Sequence, residues 1–130
     1  MDATWQIILW IQFGASIDML ENALLACPDD VWNDSTEPAF WYITFHTLFF
    51  LDLYLSQGVE GFRPPAPFGL EELDPAGVMP ERVYMEDELH GYLLHCRKKC
   101  REVLSTLTGE KANQYFQQGF WKDMTVLELR

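Results

Sequence analysis

The sequence predicts an all-α four-helix bundle, and three observations predict it. Residues 38–57, PAFWYITFHTLFFLDLYLSQ, read as a helix that is apolar on every side. Residues 2–27 and 85–107 read as two more helices, each with an apolar stripe at helical spacing. Residues 125–130 open like the capped start of another. A helix that is apolar all round must be covered all round. The expected architecture is therefore an up-and-down bundle with residues 38–57 as its central helix and a long proline-rich connector between helices two and three.

Helix one is expected from Asp2 to Cys27. Asp2 can cap its first free N–H groups, and Trp5, Leu9, Phe13, Ile17, Leu20 and Leu24 form the apolar stripe. Asp18, Glu21 and Asn22 lie toward the other side, and Gly14 weakens the middle by about 1 kcal/mol relative to alanine. Pro28 stops the helix. Residues 28–37 form a polar loop around one apolar Trp32, and Ser35 or Thr36 can cap helix two.

Stepping about 100° per residue along helix two, one face carries Ala39, Tyr42, Ile43, Phe49, Phe50 and Leu53, with His46 in its middle. The opposite face carries Trp41, Leu48, Leu51 and Leu55, and Gly58 is expected to close the helix. The connector, residues 58–83, holds Pro64, Pro65, Pro67, Pro75 and Pro80 and cannot be helical over most of its length. Phe62 and Phe68 predict that it packs down on the bundle, either as a strap spanning the bundle ends or as a lid over a pocket.

Helix three is expected from Met85 to Leu107. Its core face is Leu89, Tyr92, Leu93, Cys96, Cys100, Val103, Leu104 and Leu107, and its wet face is Arg97, Lys98, Arg101 and Glu102. Glu86, Asp87 and Glu88 in the first turn offset the helix dipole. Residues 108–123 read as a turn and loop. Thr125 and Glu128 then make a T-x-x-E capping pair ahead of Leu129, and the sequence stops at Arg130. Two turns do not hold a helix unaided. The expectation is a fourth helix whose body lies beyond these residues, with a partner chain as the alternative cover.

Bulk properties narrow the function. A chain of 130 residues, 48% apolar and 15% aromatic, is one folded domain. Twenty acidic against nine basic residues, a net charge of -11, argue against a nucleic-acid partner and against an anionic membrane surface. No uninterrupted apolar run reaches the length of a bilayer span, and the N-terminal segment lacks the basic flank of a signal peptide. Cys27, Cys96 and Cys100 suggest no disulfide framework, so a reducing cytoplasm is expected. No nucleophile elbow, phosphate-binding glycine loop or CxxC pair is present.

The segment FWYITFHTLFFLDLYL resembles helix two of the DinB-like superfamily, which includes the bacillithiol-transferase-like proteins. PPAPFG and LDPAGVMPERVY resemble its long connector, ELHGYLLHCRKKCREVLSTLTGE its third helix and following turn, and MTVLELR the start of its fourth. The resemblance covers nearly the whole chain, most strongly residues 40–55 and 86–110. It implies an up-and-down four-helix bundle and a divalent metal, zinc or nickel, held by three histidines. His46 stands at the position of one. The other two, an H-x-x-x-H pair on helix four, would lie beyond Arg130. For the intact protein the implied chemistry is metal-dependent thiol transfer to small electrophiles, or hydrolysis; these residues alone are not expected to hold the metal. The competing expectation is a non-enzymatic, stress-associated bundle that acts by protein association as a homodimer.

On its residues alone, His46 is either a ligand awaiting partners from other helices or a core histidine bonded to a carbonyl or hydroxyl. Cys96 and Cys100 share one face four residues apart. They can be read with His95 as a zinc cluster, but His95 projects about 100° away, and core packing fits better. His90 is expected at the edge of the apolar stripe. Asp52 lies about 120° from His46, facing either the bundle or solvent; as a carboxylate behind a metal-bound histidine it is disfavoured by that angle.

Overall fold

The computed structural model describes residues 4–34, 38–56 and 58–107. Its elements are α1 (Thr4–Ala26), α2 (Asp29–Trp32), α3 (Phe40–Tyr54), a 3-10 turn (Glu71–Leu73) and α4 (Glu86–Thr106). The described residues are all-α, with no strand among them. The expected caps at Asp2, Ser35 and Thr36, and the start of a fourth bundle helix at residues 125–130, lie outside the described residues.

The helix in the middle is α4, not α3. Both α1 and α3 pack along it. Leu89, Tyr92, Leu93, Cys96 and Cys100 of α4 are all buried in one core with Phe45, Leu48, Phe49 and Leu53 of α3. The core face expected for helix three is thus observed, apart from Val103, which is half-buried. On α1 the expected stripe is observed as well. Ile17 and Leu24 are buried, and Trp5, Leu9, Phe13 and Leu20 pack at the edge of the core.

The direction of the helices departs from a strict up-and-down order. Trp41, at the start of α3, rests edge-on against Tyr84, just ahead of α4. Further along, the Cys96 thiol meets the Leu48 carbonyl, and Lys99 reaches Asp52 and Ser56. The two helices therefore run parallel. By contrast α1 is antiparallel to α4: Glu21 faces His90, Asp18 faces Arg97, and Gln6 donates to the Leu107 carbonyl at the far end. Parallel neighbours need a connection that travels back the length of a helix, about 22 Å for fifteen residues. That is the physical reason for so long a connector.

The connector packs down, as its aromatics predict. Phe68 stacks on Phe45 and Tyr92 and meets Tyr84 edge-on, and Phe62 meets Phe49 edge-on. It enters α4 through Glu88, whose carboxylate accepts the Met85 N–H at 2.9 Å and a two-pronged Arg82 guanidinium. Glu88 thereby supplies the capping that Met85 cannot.

Helix α3 closes at Tyr54, one turn before Gly58. Here the Asp52 carbonyl, one of those left free at a helix end, accepts from Ser56 Oγ at 3.0 Å and Lys99 Nζ at 3.1 Å. Side chains close the helix, so no glycine is required.

By length and composition α1 is apolar enough to cross a bilayer, with 23 residues and a mean hydropathy of 1.2 over its most apolar stretch. The average tolerates Asp18 and Glu21, which break any uninterrupted run. In the structure both face Arg97, which donates to Asp18 Oδ1 and to both Glu21 oxygens. The Arg97 guanidinium, with His90 beside it, holds the Glu21 carboxyl down at about 2. A carboxylate depressed in the folded state stabilises fully above its unfolded pKa, about 4.5, and ceases to do so as pH falls toward 2. Stability to urea is therefore expected to decline across that window, and Glu21→Gln is expected to flatten the decline.

Candidate functional site

The stripe that α3 buries is Trp41, Thr44, Phe45, Leu48, Phe49, Asp52 and Leu53. This corrects the expectation that the helix is covered on every side. His46 is not enclosed within the core: it lies on the other side, its side chain 53% exposed. Asp52, a carboxylate, occupies the core instead.

Around His46 the sequence builds a small polar centre on an aromatic surface. Tyr42 and His46 are four residues apart and so share a face of α3. The 3-10 turn of the connector lays Glu72 between them, its side chain only 4% exposed. Glu72 Oε1 accepts from the Tyr42 hydroxyl at 2.6 Å, and Glu72 Oε2 lies 2.5 Å from His46 Nδ1. The hydrogen bond to Glu72 pushes the Tyr42 phenol up to about 12, so it stays a donor. The Phe50 ring, 4.8 Å away centre to centre, packs on the imidazole from the next turn. Nothing in the sequence marked Glu72, which sits in an irregular segment where periodicity carries no information.

Asp52 organises a second centre. Its side chain is 1% exposed. Oδ1 accepts from Lys99 Nζ at 2.6 Å and has His95 Nε2 at 3.4 Å, and Oδ2 accepts from the Tyr92 hydroxyl at 2.9 Å. Tyr92, His95 and Lys99 follow one another on one flank of α4 at spacings of three and four. Lys99 opens onto a cleft of about 600 Å³ lined by Ser56, Gly58, Val59, Glu60, Gly61, Phe62 and Arg63.

The Lys99–Ser56 contact, 2.6 Å, has the spacing of a serine–lysine dyad. Yet the Lys99 ammonium also donates to the Asp52 carboxylate and the Asp52 carbonyl. All three of its protons are committed, so it donates to Ser56 rather than accepting its proton. The cluster ties α3 to α4; it does not activate a nucleophile.

The remaining candidates are placed plainly. His90 pairs with Glu21 and His95 with Asp52, so neither joins His46. Cys96 and Cys100 are buried free thiols. Burial pushes Cys100 up to about 11 and Cys96 higher still, which fits core packing and removes them as nucleophiles near neutral pH. Among the described residues no three His, Cys, Asp or Glu side chains converge as a metal cluster. As a single ligand His46 fits a divalent cation well, because a carboxylate behind one ring nitrogen orients the other. The partners a complete site needs are not among the described residues.

Fold and sites together define, over the described residues, an all-α arrangement with two carboxylate centres, Asp52 between the parallel helices and Glu72 between the strap and α3. No protein-family model, no curated protein and no solved structure matches this chain.

Proposed function

We propose that this chain is a DinB-like helical-bundle protein in which His46 is one ligand of a divalent metal, zinc or nickel. The other ligands come from outside the described residues. The observation that carries the reading is the Glu72–His46 pair: an enclosed carboxylate bonded to Nδ1 of an imidazole whose side chain is half exposed. The crossover connector is compatible with it, since four-helix bundles are built with such connections as well as with short turns. When bound, the metal supplies a lowered pKa to a coordinated thiol or water and so makes a nucleophile. The chain's own part is to hold one coordination position in an aromatic surround of Tyr42 and Phe50. The substrate class is a small electrophilic or hydrolysable molecule. Metal analysis of a full-length version purified without chelator, beside His46→Ala, tests this. The expected outcome is a severalfold loss of bound metal in the variant; equal content in the two proteins sinks the reading.

A second reading rests on α1. Ile7, Ile8, Ile11, Met19 and Leu25 are each more than half exposed on that one helix, and large exposed apolar patches mark association surfaces. On this reading the protein acts by self-association, as a homodimer paired through α1. Light scattering is expected to give twice the chain mass, and Ile11→Lys with Met19→Lys to give the monomer mass. A wild-type monomer at high concentration removes this reading.

A further inference from the structure

A neutral imidazole carries one proton on one of its two nitrogens, and which nitrogen is decided by what the ring faces. In an unconstrained histidine the proton prefers Nε2. His46 is constrained. Its Nδ1 lies against Glu72 Oε2. The other oxygen, Oε1, already accepts the Tyr42 hydroxyl at 2.6 Å. A carboxylate with both oxygens engaged this way can only accept. The proton of neutral His46 must therefore sit on Nδ1, leaving the lone pair on Nε2.

A half-turn of the ring about Cβ–Cγ would bring Cδ2, not a nitrogen, to Glu72 and lose the bond that Nδ1 makes there. Phe50 lies 4.8 Å from it centre to centre, Tyr42 flanks it at 6.2 Å, and Glu72 is itself held in a 3-10 turn with almost no exposure. Leu73, the residue after Glu72, packs at the edge of the core, and Phe68, four residues before Glu72, is buried in it. The connector is thus the positioning part of the His46 centre rather than a passive crossing.

We propose that Glu72 is a positioning residue that fixes neutral His46 in its Nδ1–H form, so that Nε2 is the atom presented to a ligand. The identity of that ligand as a divalent cation rests on the function proposed above; the tautomer does not.

The test is a long-range proton–nitrogen correlation spectrum of the ¹⁵N-labelled full chain, recorded without metal at a pH where imidazole is neutral. His46 is assigned by its loss in His46→Ala. The expected result is the Nδ1–H pattern in the wild type, retained in Tyr42→Phe and replaced by the Nε2–H pattern in Glu72→Leu. An Nε2–H pattern in the wild type, or an unchanged pattern in Glu72→Leu, overturns the proposal. The wild-type spectrum decides even if a variant fails to fold. Addition of zinc ion alone then separates the two ideas. A selective shift of His46 Nε2, weakened about ten- to hundredfold in apparent affinity by Glu72→Leu, supports both. A zinc-insensitive His46 in the Nδ1–H form leaves Glu72 as its positioning residue and removes the metal reading.

Discussion

Lys99→Met is expected to cost about 3–5 kcal/mol of folding stability, the range for breaking a buried ion pair from one side. The substitution keeps most of the side-chain volume and removes the charge and the three hydrogen bonds of the ammonium. What it leaves is the Asp52 carboxylate, 1% exposed, with the Tyr92 hydroxyl and a long 3.4 Å approach from His95 as its remaining partners. It also removes one of the two donors to the Asp52 carbonyl and the donor to Ser56 Oγ at the end of α3. A lone buried carboxylate is costly because it has lost its water and gained too little in exchange. The reverse cut is milder, since the Lys99 side chain is 27% exposed and its ammonium can turn toward the cleft for solvation. Asp52→Asn in the Lys99→Met background is expected to recover more than half the loss, because the amide oxygen still accepts from Tyr92 and no charge remains. Urea unfolding of the three proteins reads this directly. A single-variant loss below about 1 kcal/mol, the level of exposed pairs, would show that Asp52 is effectively solvated.

The amount of this fold that was legible in the sequence depended on periodicity. Helix α4 is legible because its apolar and charged positions alternate with a clear 3.6-residue period from Leu89 to Leu104, with Val103 alone of the expected core positions half-buried. The sequence predicts helix α3 but not which of its sides faces inward. With aromatic or aliphatic residues all around, apolarity gives no preference between the two faces and predicts cover on every side, which the half-exposed His46 does not have. The polar residues held the answer in a different form. Thr44 bonds back to the Phe40 carbonyl within its own helix and can be buried at little cost. Asp52, eight residues further along the same face, is matched by Tyr92, His95 and Lys99 on one flank of α4. A carboxylate in an apolar helix with a lysine and a tyrosine at matching register on the next helix is a signal that pairwise reading across helices could have used. Glu72 had no such signal. Its role comes from where a proline-rich strap crosses α3, and a crossing point is a tertiary fact.

Phe68→Ala is expected to cost about 3–5 kcal/mol as well, the range for deleting a buried aromatic ring, and its consequences reach the His46 centre. Phe68 is buried and touches three other aromatic rings. Its ring lies parallel to Tyr92 at 4.5 Å and to Phe45 at 5.6 Å, and edge-on to Tyr84 at 4.7 Å. Those three rings belong to α4, α3 and the approach to α4, so one side chain joins the two parallel helices to the segment that connects them. Removing it leaves a hole between rigid aromatics that cannot collapse to fill it, which is where the large end of the range applies. Glu72 follows four residues later, and its hold on Tyr42 and His46 requires the strap to lie flat. Loosening the strap therefore returns the Tyr42 phenol from about 12 toward its ordinary value of 10, visible as an added tyrosinate absorbance in a spectrophotometric titration. Limited proteolysis should cut earlier between residues 58 and 85 in the variant. Should Phe68→Ala lose stability on that scale while Tyr42 titrates as before, the strap must be held over α3 by contacts other than this ring, and the path from core packing to the His46 centre would be broken at that step.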